Sequence, residues 1–320
     1  MLKRLLCSSA LVAPFLAALF LSSEARAGKY DIDLAPLAQI NDDGTITQDN
    51  AAFRSLASEV GVLMAPKVVD PADSLGLSGF AVSADISVNT LTGDAAYWQD
   101  TTRGSPNNVA PTLQVMGRKG LWPGLEVGAG ATHLFDSRMW TLAGYGKLSL
   151  HEGFHHLPIP SIALRGMFAR LLGSKDLDMT TISVGASLSH VFGIGSTFNI
   201  TPYAGYDALL VFARTGVIDA TPDHDEFSEG PLACNNGDPT CVVSSEFVFR
   251  KQDVILRHRP YVGMRFIFSV LRVGIEAMFV PGGGSSSDIP IPAAAGGGTE
   301  TVTDGSGFQQ QYTLSLGLDF

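Results

Sequence analysis

Large apolar residues occupy every second position in run after run of the chain between Gly79 and Phe320. The first run carries five of them, alternating with small or polar residues: Phe80, Val82, Ala84, Ile86 and Val88. A period of two indicates a β-strand whose two faces meet different surroundings. Ten such runs follow one another, and many exceed the roughly five or six residues of an average strand. The chain from Gly79 onward is therefore predicted to be all-β.

Two architectures fit this alternation: a soluble sandwich with its apolar face inward, and a membrane barrel with its apolar face in lipid. The long runs favour the barrel, because a tilted strand needs roughly 9–11 residues to cross the hydrocarbon layer. Charged residues in mid-strand also fall almost entirely on the polar face, with His258 and Arg170 as exceptions. The prediction is a closed antiparallel transmembrane β-barrel of about ten strands, or of twelve if Ser244–Gln252 forms another hairpin.

The connections between the runs differ in length in a regular way. The long ones follow the first, seventh and ninth runs, at Thr90–Pro111, Thr215–Gln252 and Gly282–Gly307. All three therefore fall at one end of the barrel. In outer-membrane barrels the long loops are extracellular and the short turns periplasmic. With an even strand number, both termini are then expected on the periplasmic side.

The first residues predict export. Lys3 and Arg4 precede an apolar stretch from Leu5 to Leu21, and Ala25-Arg26-Ala27 has the form of a cleavage site. This pattern is typical of a secretory signal peptide with cleavage before Gly28. The chain has a net charge of −10, which argues against nucleic acid as a partner.

The last nine residues, YTLSLGLDF, alternate strictly and end in an aromatic residue. This segment resembles the C-terminal strand of bacterial outer-membrane β-barrel proteins, although it does not indicate a narrower family. The resemblance implies a Gram-negative outer membrane, with outer-membrane lipid around the barrel. It also implies that the barrel-assembly machinery reads the final strand, with Tyr312 and Phe320 as parts of the assembly signal.

The segment between the signal peptide and the first run has a different pattern. Apolar residues at helical spacing predict an amphipathic helix near Ala51–Met64, capped by Asp49 or Asn50 and ended by Pro66. The expected division is a signal peptide at 1–27, an N-terminal periplasmic or plug-like segment at 28–78 and a barrel at 79–320. Three roles for the helix stay open: it plugs the barrel, docks beneath it, or binds another periplasmic protein.

Strand parity places a set of charged residues on the inner face of the barrel. They are Asp85, Glu126, Lys147, Arg165, Asp207, Arg257, Arg259, Arg265, Arg272 and Glu276, with Arg118 and Asp319 at equivalent positions. One interpretation is a charged pore lining that favours anions or amphipathic solutes. The other is an ion-pair network that fills a narrow barrel, since a barrel of about eight strands has room only for side chains.

Two further patterns concern the long loop after the seventh run. Cys234 and Cys241 enclose six turn-forming or small polar residues, which predicts a disulfide-closed loop rather than a metal site. Asp223-His224-Asp225 has the residue types of an omptin-like rim site, but no second acidic pair matches it.

No catalytic triad, metal spacing or cofactor motif is visible, so an enzyme is not expected. The main hypothesis is a small pore or passive transporter of an unidentified small solute. A structural or adhesive barrel that uses its extracellular loops is the alternative. A barrel enzyme at the outer-membrane surface is the third possibility.

Overall fold

The computed structural model describes residues 28–41, 46–102, 106–152, 159–194, 198–220, 246–291 and 297–320. The N-terminal segment contains a 3-10 turn (Ala35–Leu37), a hairpin of β1 (Ala38–Ile40) and β2 (Ile46–Gln48), and a helix over Asn50–Met64. The Asp49 carboxylate caps this helix by accepting a hydrogen bond of 2.8 Å from the backbone N–H of Ala52. The predicted helix is thus confirmed, and we call it the plug helix.

Fifteen further strands follow in chain order. They are β3 (Phe80–Thr90), β4 (Val109–Trp122), β5 (Leu125–Leu134), β6 (Trp140–His151), β7 (Ser161–Leu172), β8 (Leu177–Ser189), β9 (Phe192–Ile194), β10 (Phe198–Thr215), β11 (Ile218–Asp219), β12 (Glu246–Phe247), β13 (Ile255–Phe268), β14 (Leu271–Val280), β15 (Ser286–Pro290), β16 (Thr299–Thr303) and β17 (Gln309–Asp319). A short helix at Ala96–Gln99 lies between β3 and β4.

Ten of these strands form one closed antiparallel barrel. Their order is β3-β4-β5-β6-β7-β8-β10-β13-β14-β17, and β17 pairs with β3 to complete the ring. The prediction of a closed ten-stranded antiparallel barrel is confirmed. The alternative of twelve strands is wrong, because β12 pairs with β11 in a separate two-stranded sheet.

The barrel wall is polar on its inner face and apolar on its outer face, which is the reverse of a soluble protein. Along β3 the polar side chains Ser83, Asp85 and Ser87 are buried, whereas Ile86 is 52% exposed. Val184 on β8 is 61% exposed. The wall therefore presents an apolar outer surface around a polar interior. Within the described residues, no helix has the length and apolar character needed to span a membrane.

The two ends of the barrel differ in their connections. We call the end with the long connections at 91–108, 216–254 and 281–308 the loop end, and the opposite end the turn end. At the turn end, Gly124 and Ser269 adopt positive φ values of 80° and 56° in the tight β4–β5 and β13–β14 turns. Phe80 and Phe320 also meet there, through paired backbone hydrogen bonds of 2.9 and 2.7 Å.

The N-terminal segment runs through the barrel from one end to the other. Tyr30 donates its backbone N–H to the carbonyl of Asp136 at the loop end, at 3.1 Å. Past the plug helix the chain reaches the turn end, where the Gly120 N–H donates to the carbonyl of Gly79 at 3.0 Å. Residues 28 and 320 thus lie at opposite ends, which corrects the expectation that both termini lie on one side. Counting strands cannot detect a segment that crosses the barrel as a helix and an extended chain.

Candidate functional site

The interior of the barrel is occupied by the N-terminal segment. Every side chain of the plug helix from Phe53 to Met64 is buried. The structure places all ten charged residues named by strand parity on the inner face, each at most 5% exposed. They therefore face the N-terminal segment and one another. This interface is the candidate functional site.

The loop-end half of the interface is largely apolar. Phe53, Leu56, Val60 and Leu63 of the plug helix belong to one buried cluster with side chains from the inner wall. The wall residues include Leu134, Met179, Leu209, Val211, Ile255 and Val280. The contact is close, because a Cβ built on Gly61 would lie 2.5 Å from a methyl group of Val211. Glycine at this position lets the helix approach β10.

One carboxylate of the plug helix connects this half to the loops. Glu59 accepts hydrogen bonds from the Thr92 hydroxyl at 2.7 Å, from Trp98 Nε1 at 2.7 Å and from the Gly307 N–H at 3.0 Å. The Tyr97 hydroxyl also donates to it at 3.0 Å. Burial, and then the nearby Glu59 charge, raise the pKa of Tyr97, so its hydroxyl keeps the proton that it donates. Glu59 thus joins the helix to two loops at the loop end.

Two arginines strengthen the same attachment. Arg54 of the plug helix donates to the backbone carbonyls of Asp253 at 2.9 Å and Ser285 at 3.1 Å. Arg257 reaches from β13 to the Ser58 hydroxyl of the helix at 2.6 Å. These bonds tie the helix to β13, to the chain just before β13 and to the connection after β14.

The turn-end half of the interface is ionic. After the helix, the carboxylate of Asp70 lies among four cations of the wall. Arg118 is at 2.6 Å, Arg272 at 3.1 Å and Arg265 at 3.4 Å, and Lys147 forms an even shorter ion pair. All five side chains are buried. A buried charge is strongly destabilising without a partner, so this cluster depends on every member.

Two further acids, Glu126 and Asp73, contribute to the ionic half. Glu126 on β5 pairs with Arg118 at 3.0 Å and with Lys147 at 3.3 Å. Asp73, three residues after Asp70, forms a short ion pair with Arg265. The wall cations are therefore shared between carboxylates of the wall and of the N-terminal segment.

A second buried ion cluster lies in the middle of the barrel. Arg165 on β7 donates Nε and Nη2 to the two oxygens of Asp207 at 2.9 and 2.7 Å, and Arg259 reaches the same carboxylate at 3.2 Å. The remaining Arg165 nitrogen, Nη1, donates to the carbonyl of Val68 at 3.0 Å. Its guanidinium also lies 4.0 Å from the centre of the Tyr261 ring. The wall thus binds the backbone of the N-terminal segment as well as its side chains.

The backbone of Lys67 is held in a similar way. Gln114 on β4 accepts from its N–H at 3.0 Å and donates to its carbonyl at 2.6 Å. The buried Lys67 Nζ donates to the carbonyl of Leu63 at 2.9 Å. A change in the position of the segment would break both bonds to Gln114.

Glu59, Lys67 and Asp70 were not predicted from the sequence to be parts of the site. Asp70 is next to Pro71 and resembles a linker residue. A signal for a filled interior does exist at the loop end, where Leu209 and Val211 are apolar at inward-facing positions. Apolar residues on the inner face of a barrel indicate that something apolar packs against them.

Several predicted residues lie elsewhere. Cys234, Cys241 and Asp223–Asp225 are outside the described residues, as is the signal peptide. Tyr312 and Phe320 are exposed, Tyr312 on the outer face of β17 and Phe320 at its end. Their role as an assembly signal stays a prediction.

No protein-family model matches this chain, and no curated protein sequence matches it. Solved structures similar to it include the transport unit of the autotransporter AIDA-I from Escherichia coli, at 11% identity and a TM-score of 0.35, covering 85% of this chain and 98% of that one. The outer membrane protease OmpT from Escherichia coli is 8% identical with a TM-score of 0.33, covering 76% and 96% of the two chains. The outer membrane protein OprG from Pseudomonas aeruginosa is 11% identical with a TM-score of 0.29, covering 78% and 99%.

Proposed function

We propose that this protein is a bacterial outer-membrane β-barrel that is closed by its own N-terminal segment and that acts through its loop-end surface, as a structural or adhesive barrel. The observation that carries the proposal is the course of the chain from the plug helix to Gly79 through the interior, with the helix residues from Phe53 to Met64 all buried. An open pore needs a water-filled path between the two ends. Here the charged inner residues are buried against the N-terminal segment instead.

The outer wall supports a location in a membrane. Its exposed side chains are apolar on successive strands, as lipid requires. Large aromatic side chains are exposed at the turn end: Phe80, Trp122, Phe198, Phe268 and Phe320. Aromatic residues are enriched at membrane–water interfaces. The closing strand that ends in Phe320 also resembles the strand read by the barrel-assembly machinery.

The loop end offers a surface for a partner. The hairpin of β1 and β2 and the strands β11 and β12 lie there, and three apolar side chains near them are exposed. They are Ile40, Val217 and Val248. Val217 and Val248 flank the paired residues Ile218 and Phe247 and so lie close together, and exposed apolar groups that adjoin one another are candidates for interaction sites. We therefore assign the contact with a partner to the loop end rather than to the interior.

Single-channel recording in a planar bilayer tests the closed barrel. The full mature chain is expected to insert without conductance steps. Asp70→Asn, which weakens only the ionic half, is expected to stay silent because the apolar half still fills the loop-end interior. Asp178→Asn, on the outer wall, is the matched control. Steady conductance of the unchanged protein would overturn the proposal.

A pore that opens when the plug moves is the second candidate. It is favoured by buried hydroxyls on the inner face of β8 and β10 that have no hydrogen-bond partner within the described part of the chain: Thr181, Ser183 and Thr201. Such groups are suited to ordered water beside the N-terminal segment. The second candidate predicts anion-selective steps from Asp70→Asn, because the freed cations of the wall would line the opening. Silence of that variant supports the closed barrel over the gated pore.

A further inference from the structure

The ionisable side chains on the outer wall include His258 on β13 and Arg170 on β7, which lie among apolar residues. An ionisable side chain on a lipid-facing surface is costly, and it commonly marks a functional site. His258 has a local explanation, because its ring bonds to the hydroxyl of Tyr206 and stacks on that ring. Arg170 lies near the loop end of β7 and has different surroundings.

Arg170 lines an outward-facing cavity of about 330 Å³ on three adjacent strands. Its other lining residues are Asp178, Thr180, Ile182, Phe212 and Arg214. The strand register orders them in rows: Arg170 pairs with Thr180 and Thr180 with Phe212, while Asp178 pairs with Arg214 one row nearer the loop end. Six side chains from β7, β8 and β10 thus enclose one space.

The two guanidinium groups of this cavity remain accessible to a ligand. Arg170 donates Nη1 to the Thr180 hydroxyl at 2.8 Å and pairs through Nη2 with Asp178 at 2.5 Å, yet its side chain is 51% exposed. Arg214 is exposed and makes no ion pair or side-chain hydrogen bond with a described residue. The cavity thus contains two guanidinium groups and one carboxylate, which gives a local charge of +1 on an otherwise acidic chain.

The floor of the cavity is apolar. Ile182 lies one row further from the loop end than Arg170, and Phe212 lies beside Thr180, and both are exposed on the outer face. The cavity is thus cationic toward the loop end and apolar toward the middle of the barrel. A lipid has the same order of groups, with its charged headgroup at the interface and its acyl chain toward the midplane.

We infer that this cavity binds the phosphate group of an anionic lipid in the leaflet at the loop end, with the upper part of an acyl chain over Ile182 and Phe212. Arginine suits this task, because its planar guanidinium binds phosphate oxygens in pairs and tolerates an interfacial position. The apolar floor selects a lipid over free phosphate, which would make no use of it. This inference rests on the membrane location proposed above.

The test uses the full mature protein, inserted into vesicles of phosphatidylcholine with or without phosphatidic acid. Native mass spectrometry then measures the lipid that stays bound. The unchanged protein is expected to retain phosphatidic acid in preference to phosphatidylcholine. The double variant R170Q/R214Q is expected to bind phosphatidic acid about ten-fold more weakly, which corresponds to ~1.4 kcal/mol. Lys175→Gln removes an exposed cation from the adjoining loop and is expected to leave the binding unchanged.

The other outcomes separate the inference from the membrane location. Equal retention of phosphatidic acid by the double variant, with insertion intact, would overturn the lipid site alone. Displacement of the lipid by inorganic phosphate at comparable concentration would also overturn it, because it would indicate a site for a free anion. Failure of the unchanged protein to insert into either vesicle would overturn the membrane location and the lipid site with it.

Discussion

The two halves of the barrel interior bury the same N-terminal segment by opposite chemistry. At the loop end, Leu56 and Leu63 of the plug helix pack on apolar wall residues such as Leu209. At the turn end, the single carboxylate of Asp70 is surrounded by wall cations. The stabilisation from apolar burial is non-directional and increases with the area buried. A buried ion cluster is favourable only when every partner is present. We therefore expect the apolar half to supply net stability and the ionic half to fix the position of the segment.

The largest effect is expected from a change in the ionic half. Asp70→Asn leaves four buried cations without their shared carboxylate, and we expect a loss of ~3–5 kcal/mol in the free energy of unfolding. Denaturant titration in micelles measures it. Asp178→Asn breaks an exposed ion pair and should cost only about 0–1 kcal/mol. Equal small losses for both variants would show that water already reaches the Asp70 cluster.

A substitution that creates a cavity in the apolar half tests how much that half contributes to the free energy of unfolding. Leu56→Ala removes a fully buried side chain, and we expect a loss of ~2–5 kcal/mol in the same titration. Leu142→Ala is the matched control, because Leu142 is exposed on the outer wall. Its truncation leaves no internal cavity and should cost clearly less. A reversed order of these two losses would contradict the placement of the helix inside the barrel.

A smaller effect is expected at the junction of the helix and the loops. Glu59→Gln keeps the size of the side chain but removes its charge, and hydrogen bonds to charged groups contribute about 1.5–3 kcal/mol. We expect a loss in that range, together with faster proteolysis at the loop end. Glu300→Gln, which affects a partly exposed ion pair with Arg250, is the control and should leave the proteolysis rate unchanged.

The smallest effect is expected at an exposed ion pair, and its salt dependence distinguishes it from the buried Asp70 cluster. Arg138 pairs with Asp31 at 3.0 Å, but its side chain is 66% exposed. Arg138→Gln should cost about 0–1 kcal/mol at low salt, and the loss should vanish at ~1 M salt because the screening length is then about 3 Å. The loss from Asp70→Asn should persist at high salt. Unfolding titrations at two ionic strengths measure the contrast.

Much of the barrel could be predicted because its signal is repeated. Apolar and polar residues alternate along each strand, so the position of Arg165 and Asp207 in that alternation was enough to predict that both lie on the inner face. Their direct pairing was not predicted, because the two strands are not neighbours. Gly185 of β8 lies between them in the strand register, and the absence of a side chain there lets the guanidinium reach the carboxylate.

The course of the N-terminal segment could not be predicted in the same way. An amphipathic helix has the same pattern whether it fills a barrel, docks beneath one or binds another protein. Asp70 acquires its role only from cations that are far away in sequence, such as Arg265 and Arg272. The inward apolar residues Leu209 and Val211 were the available clue, and they indicate the filling only once the ends of the barrel are known.

A disulfide cross-link inside the barrel tests the central claim most directly. In a background with Cys234 and Cys241 replaced by serine, Gly61→Cys is combined with Val211→Cys, since a Cβ on Gly61 would lie 3.2 Å from Cβ of Val211. The adjacent Phe212→Cys, on the outer face, serves as the control partner. We predict that oxidation joins positions 61 and 211 in the folded protein and never joins 61 and 212. Absence of the 61–211 cross-link in the folded, oxidised protein would contradict a barrel closed by its own N-terminal segment.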